Sequence, residues 1–311
     1  MQEKKAHNRV AIDGVLLLDK PVGFSSTQAL AKAKWLLNAE KAGHTGTLDP
    51  FATGLLPLCF GEATKFSRFL LDAEKTYRAT LCLGQTSSTG DTEGVLSAPV
   101  SVKISAEKLA EVLAKFIGPQ TQIPPMTSAL KRDGVPLYKL ARQGVEVERA
   151  ARDITVYNMA PQRFEGTELV LDVTVSKGTY VRVLAEDIGQ ALGCGAYLTG
   201  LRRTGTGGMV LNAACTLAQL EQLPPNERVS LLQPAQSLVA GLIRLNLSVD
   251  AARSLMQGQM PQIAWPLLTP PALNLEYAAY AEDGLFTGVC SLFNIDKSSV
   301  TLQAVRMMQP N

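Results

Sequence analysis

Residues 43–58 read GHTGTLDPFATGLLPL, a run of glycine, threonine and proline around a single acid, Asp49. Pro50 steers Asp49 away from the α region, and Gly43, Gly46 and Gly54 permit tight turns, so the carboxylate is expected on a shaped, non-helical loop. An Asp-Pro pair by itself marks a turn. Here the acid stands alone in an uncharged stretch, which also makes it a candidate for chemistry. Before this run, GVLLLDKP at 14–21 reads as a short strand entering a turn. Ser25 or Ser26 then caps a helix carrying Leu30, Ala33 and Leu37 at helical spacing. After it, YRATLCL at 77–83 alternates, so Tyr77 opens a half-buried strand with its ring towards the apolar side.

Further on, Leu109, Val112, Leu113 and Phe116 form the buried face of a helix over 105–117, ended by Gly118-Pro119. Residues 123–153 hold Lys131, Arg132, Lys139, Arg142, Arg149 and Arg152 against Asp133, Glu146, Glu148 and Asp153, and read either as a solvated face or as an arm that follows phosphates. ELVLDVTV at 168–175 alternates cleanly, with Leu169, Leu171, Val173 and Val175 inward. SKGTYVRVLAEDIGQALG follows as a turn into a helix, placing Tyr180 and Arg182 at a junction of the kind that faces clefts. Leu201 to Arg203 read as a strand end, and the glycines at 205, 207 and 208 do not form a dinucleotide loop. A change of character through Leu223-Pro224-Pro225 and 234–242 sets a boundary near residue 245. It separates a domain over 1–245 from a small β-rich one over 246–311, which has a helix at its start and turns at Asp283-Gly284 and Asp296-Lys297.

With 311 residues, 46% hydrophobic and 19% charged, the chain is expected to be a packed globular protein rather than disordered. Lys4, Lys5 and Arg9 precede only the short apolar run Val15–Leu18, far below a signal-peptide core or a membrane span, so a cytoplasmic location without membrane contact is expected. Cys59, Cys82, Cys194, Cys215 and Cys290 are scattered, without a C-x-x-C pair, and read as buried thiols rather than as disulfides or a zinc site. The two histidines, His7 and His44, leave little from which to build a Ser-His-Asp triad or a multi-histidine metal site. A net charge of +2 says little about a nucleic-acid partner, so only local basic clusters can speak for one.

Several ordered motifs carry a resemblance: DKPVGFSS, the Asp49 loop with its L-D-P, EATKF at 62–66, KTYRA at 75–79, PPMTSALK at 124–131, the ARQGVEVERAARDITVY run, SKGTYVR at 176–182 and LRR at 201–203. Together they resemble the TruB family of tRNA pseudouridine synthases over residues 14 to about 203. One departure is Thr127, where the family pattern has a tyrosine after Pro-Pro-x. The resemblance implies an α+β fold, with a mixed-sheet catalytic domain and a PUA-like RNA-binding domain at the C-terminus. It implies isomerisation of the T-loop uridine of tRNA, position 55 by tRNA convention, to pseudouridine on a flipped-out base, with no cofactor and no metal.

Asp49 is then the catalytic carboxylate, acting at the ribose or at the base ring, and Arg182 its ionic partner. Tyr77 stacks on the uracil, Tyr180 lies under the ring where its hydroxyl can carry a proton, Leu201 walls the pocket, and His44 stacks or pairs where the nucleotide leaves the loop. Lys20 and Lys65 are phosphate contacts or loop supports. The partner expected is the T-arm of tRNA, with the enzyme a monomer needing no protein partner. Two other readings share these motifs: a guide-RNA-dependent synthase, disfavoured by the lack of long basic tails, and a tRNA-folding chaperone that works mainly by binding.

Overall fold

A computed structural model describes residues 9–266, 270–273, 275–296 and 299–309. Lys4, Lys5, His7 and Lys297 lie outside the described residues. The first part of the chain runs β1 (Gly14–Lys20), α1 (Ser26–Leu36), β2 (Ala42–His44), β3 (Thr53–Phe60), a 3-10 turn (Gly61–Phe66), α2 (Ser67–Asp72) and β4 (Lys75–Leu83). It continues through α3 (Ala106–Ala114), β5 (Gly118–Gln122), the hairpin β6 (Lys131–Arg132) and β7 (Val135–Pro136), α4 (Leu137–Arg142), β8 (Arg152–Glu165) and β9 (Glu168–Val175). After α5 (Val181–Ala191) come β10 (Ala196–Thr206), β11 (Met209–Val210), β12 (Cys215–Thr216) and α6 (Leu217–Gln222). The last part holds β13 (Ile243–Leu247), α7 (Val249–Met256), β14 (Gln262–Ala264), β15 (Glu276–Ala281), β16 (Phe286–Ile295) and β17 (Ser299–Met307).

The large sheet has the order β12-β1-β3-β10-β4-β9-β8-β5, with β2 beside β3 and β11 beside β10. It is mixed: β1 with β12 and β3 with β10 are parallel, and the other pairs are antiparallel. Its two halves show in the sequence. β1 and β3 are apolar on consecutive residues because both faces are covered. Leu16, Leu18, Leu56 and Leu58 face the core beneath α1, α3, α5 and α6, whereas Val15, Leu17, Leu55 and Cys59 face the second domain. β4 and β9 alternate because one face meets water: Tyr77, Ala79, Leu81, Leu169, Leu171 and Val173 point inward, and Arg78 and Asp172 pair on the outer face. The cap of α1 is Ser25, in a reciprocal capping box with Gln28.

Two elements differ from the expectation. The helix over 105–117 ends at Ala114, and Gly118–Gln122 joins the sheet as an edge strand against β8, a position where Pro119 costs no ladder hydrogen bond. Leu201–Arg203 are not a strand end but lie within the 11-residue β10, in the middle of the sheet.

The second sheet, β13-β15-β16-β17-β14, starts at Ile243. It is not a detached appendage. Ala278, Phe286 and Val289 share a core with Ala63, Phe66 and Leu70, and the Phe66 and Phe286 rings lie 5.3 Å apart. Lys65 Nζ donates to the Met307 carbonyl (3.1 Å) and Gln309 N–H to Glu62 (2.7 Å), so Lys65 supports this junction.

Candidate active site

The Asp49 loop is held from every side. Ser26, buried at the start of α1, accepts from Leu48 N–H (2.7 Å) and donates to the Leu48 carbonyl (3.1 Å). Gly23 N–H donates to the Pro50 carbonyl at 2.8 Å. Beneath, the fully buried Lys20 ammonium donates to the carbonyls of Phe24 (2.6 Å), Pro21 (3.0 Å) and Pro50 (3.5 Å). Arg203, 1% exposed, clasps both ends: Nε donates to the Leu55 carbonyl (2.6 Å) and Nη2 to that of Gly46 (3.4 Å). Gly54 is required where the loop enters β3. Its φ is +101°, and a Cβ there would stand 2.3 Å from the Arg203 carbonyl oxygen. Gly43, by contrast, sits in β2 with no such demand.

The loop aims Asp49 into a cleft of about 400 Å³ bordered by Lys75, Tyr77, Tyr180, Arg182, Leu201 and Arg203. Arg182 emerges from the first turn of α5, which its own buried face seats against the sheet, and its Nε lies 3.0 Å from Asp49 Oδ2. Asp49 keeps 39% of its side chain open to the cleft, yet protein surrounds it, and burial raises its pKa. Arg182 and Lys20 oppose that rise, whereas the charge of Asp91 adds to it. Tyr180 precedes α5, with its N–H and carbonyl both bonded to the Gln122 side chain. Burial pushes its phenol pKa up, so at neutral pH it holds its proton.

Of the residues expected from the sequence, Asp49, Tyr77, Tyr180, Arg182 and Leu201 meet in this cleft, and His44 is not in its lining. His44 lies on β2 opposite Leu58, its Nδ1 buried without a hydrogen-bond partner among the described residues. Burial, reinforced by the nearby Arg203 charge, lowers its pKa and keeps it neutral. Sequence reasoning missed Asp91, 3% exposed, whose Oδ2 lies 3.4 Å from Arg182 Nη1. Asp91 ends the uncharged run GQTSSTGD at 84–91, but Glu93 follows two residues on, so it carries only a weaker form of the signal that marked Asp49. It also missed the buried cations Lys75 and Arg203. Lys75 closes the end of α2 by donating to the carbonyls of Leu71 (2.7 Å) and Leu70 (3.0 Å).

A second hollow, about 620 Å³, runs past Phe24, Leu217 and Ala218 on another flank. Its one deep acid, Asp19, is taken in bidentate fashion by Arg202 at 2.7 and 3.1 Å and has no lone carboxylate to offer. Among the described residues there is no group of three or more His, Cys, Asp and Glu that could hold a metal, and no helix is long and apolar enough to cross a membrane.

Residues 34–181 match the model of the TruB family pseudouridylate synthase N-terminal domain, and residues 182–240 that of the tRNA pseudouridylate synthase B C-terminal domain. A tRNA pseudouridine synthase B of Thiobacillus denitrificans is 57% identical over 251 residues, covering 81% of this chain and 84% of that protein. One of Dechloromonas aromatica is 51% identical over 285 residues, covering 92% and 93%. The chain belongs to the TruB family. Among solved structures, a crystal structure of a Cbf5-Nop10-Gar1 complex includes a chain that is 26% identical, with a TM-score of 0.74, covering 96% of this chain and 85% of that one. The two TruB segments meet at Val181/Arg182, inside α5, so the cleft draws Asp49, Tyr77 and Tyr180 from the first and Arg182 and Leu201 from the second.

Proposed function

We propose that this TruB-family chain isomerises a uridine of tRNA to pseudouridine, that the uridine is the one in the T-loop at position 55, and that Asp49 is the nucleophile. One observation carries the reading. A single carboxylate, fixed by its loop and by Arg182 at 3.0 Å, shares with two tyrosines a cleft of about 400 Å³, roomy enough for a flipped-out nucleotide. The relatives' shared name, tRNA pseudouridine synthase B, supports the substrate class.

The reaction breaks the bond from uracil N1 to the ribose, turns the base and joins C5 to the same carbon. C5 gives up its proton and N1 ends with one, so atoms and oxidation state balance without a cofactor. An ionised carboxylate divides this change by forming and then releasing an ester or a ring adduct. Arg182 keeps Asp49 ionised against the desolvation that raises its pKa. Tyr77 offers a ring face on which the extruded uracil stacks, worth roughly 1–3 kcal/mol, and Leu201 excludes water that would hydrolyse the adduct. Tyr180, its pKa raised, carries a proton to or from the base in its neutral form rather than acting as a standing base.

The enzyme is read as a cytoplasmic monomer that needs no protein partner, with the exposed arm after Ile123 and the second domain holding the RNA backbone. The test is to incubate an unmodified tRNA transcript with the purified chain and map pseudouridine by nucleotide. Modification at position 55 alone is expected. Modification elsewhere would overturn the site, and none at all would favour a protein that works by binding.

A further inference from the structure

The Arg182 guanidinium is 4% exposed and faces more acceptors than Asp49 alone. Its Nε donates to Asp49, while Nη1 donates to the Thr89 carbonyl at 3.1 Å and also lies 3.4 Å from Asp91 Oδ2. Thr127 meets both outer nitrogens of the fork. Thr127 accepts from Nη1 through its hydroxyl oxygen and from Nη2 through its carbonyl at 3.3 Å.

Two carboxylates therefore share one cation, Asp49 at Nε and Asp91 at Nη1. Asp91 is fixed independently, by the Thr89 hydroxyl (2.6 Å) and Glu93 N–H (3.0 Å), so it offers Arg182 a second stable resting place. The guanidinium is planar, and a tilt of its Nη1 corner towards Asp91 withdraws the Nε proton from Asp49. Thr127 opposes that tilt because its hydroxyl holds Nη1, the corner that Asp91 draws, and its carbonyl holds Nη2. Its own placement is firm: Ser128 and Leu130 accept from Tyr138 N–H (3.0 Å) and Leu137 N–H (2.7 Å), which pins the segment to the start of α4.

We propose that Thr127 is a positioning residue, whose hydroxyl holds Arg182 in the orientation that presents Nε to Asp49. This rests on the reading of Asp49 as nucleophile. It also assigns work to the position where the chain departs from the family pattern: a tyrosine hydroxyl projects too far from the backbone to make the same contact.

The test compares Thr127→Val, which keeps the shape and removes the hydroxyl, with Thr127→Ser, which keeps the hydroxyl. Losing one hydrogen bond to a buried charge is expected to lower kcat about tenfold in the valine variant, with tRNA affinity within about twofold of wild type. The serine variant should recover most of kcat. The pH profile is the sharper readout: the acidic limb of kcat should move to higher pH in Thr127→Val only, because a loosened Arg182 supports the Asp49 carboxylate less.

Carboxyl NMR of Asp49 in the free protein should show the same shift, and needs no RNA. A wild type that releases no tritium from C5-labelled tRNA sinks the proposed function, whereas the NMR titration still decides the role of Thr127. An unchanged kcat and titration in Thr127→Val overturns the proposal, and so does a serine variant as impaired as the valine one. Weakened tRNA binding with intact kcat would make Thr127 an RNA contact and overturn it too. If the valine variant fails a thermal-unfolding check, Thr127→Ala takes its place in every arm.

Discussion

The Asp49 cleft and the arm that follows Ile123 both rely on cations, and they treat them in opposite ways. In and beneath the cleft Lys20, Lys75, Arg182 and Arg203 are buried, and their N–H groups end on backbone carbonyls, on the Thr127 hydroxyl or on Asp49 and Asp91. In the arm Lys131, Arg132, Lys139 and Arg142 are exposed, on a short hairpin turned by Asp133-Gly134 and on the short α4. Lys131, Lys139 and Arg142 have no carboxylate within ion-pair reach among the described residues, and Arg142 only stacks near the Tyr138 ring at 5.7 Å. Buried, saturated charges fix geometry, whereas exposed, unsaturated ones remain available to a polyanion. If the cleft does the chemistry and the arm the binding, as proposed, the two are separable, and substitutions on the two sides should fail in different ways.

The largest effect is expected from Asp49→Asn, which removes the proposed nucleophile while keeping size and polarity. Tritium release from C5-labelled tRNA should fall by about 10⁴-fold or more, while filter binding stays within a few-fold. Turnover near wild type would break the comparison at its root, because the cleft would then not be where the reaction happens.

Arg203→Lys comes next. Lysine keeps the charge, but one ammonium cannot reach both the Gly46 and Leu55 carbonyls. Two buried acceptors losing their donors should cost about 2–3 kcal/mol of stability and about tenfold in turnover, as the loop loosens. Guanidinium denaturation and saturating-substrate kinetics report the two effects. Full retention of both would show that charge alone, not the clasp, matters at this position.

How much of this was legible beforehand follows from whether an interaction is local. β9 was readable residue by residue, since Leu169, Leu171, Val173 and Val175 alternate against water on one side. The α1 cap and the Asp49 loop were readable because serine, proline and glycine act on their own backbone. Arg203 was not. It sits one residue from Arg202, which pairs with Asp19 on the opposite face, and only the placement of β10 beside β3 tells the two arginines apart. Asp91 and Thr127 reach Arg182 from segments far away in sequence, so no spacing rule brings them together. The second sheet starts at Ile243, and the sequence could not show that Phe66 and Phe286 join its core to that of the 3-10 turn and α2.

The pH dependence sharpens the cleft side. Burial raises the Asp49 pKa from its ordinary value, so the ionised form, the reactive one in the proposed function, is reached at higher pH than in a free aspartate. The rate should rise about tenfold per pH unit below that limb and flatten above it. An acidic limb at or below the ordinary Asp value would contradict the desolvated setting of Asp49. Lys20 and Lys75, lowered to about 8 by burial, act on stability with the opposite pH sense to a paired lysine. Between about 8 and the usual lysine value the unfolded chain binds more protons than the folded one, so these two groups make the protein more stable as pH rises through that window.

The smallest effect belongs to the arm. Arg142→Gln and Lys139→Gln remove exposed charges that no carboxylate answers among the described residues, so neither should disturb folding by more than a few tenths of a kcal/mol. If the arm follows the RNA backbone, each variant should weaken tRNA binding by about three- to tenfold at moderate salt. Each should also reduce the slope of log affinity against log salt by somewhat less than one. Turnover at saturating tRNA should stay within about twofold of wild type, because nothing in the Arg182–Asp49 pair depends on either side chain. The salt series is what decides. A surface charge that merely keeps the arm soluble leaves both slope and affinity unchanged, and a double variant that did so would return this stretch to an ordinary solvated face and leave the second domain to hold the RNA. A double variant that instead lost turnover at saturation would break the separation from the other side. It would show that seating the arm helps to set Thr127 and Arg182, through the hydrogen bonds that join Ser128 and Leu130 to α4.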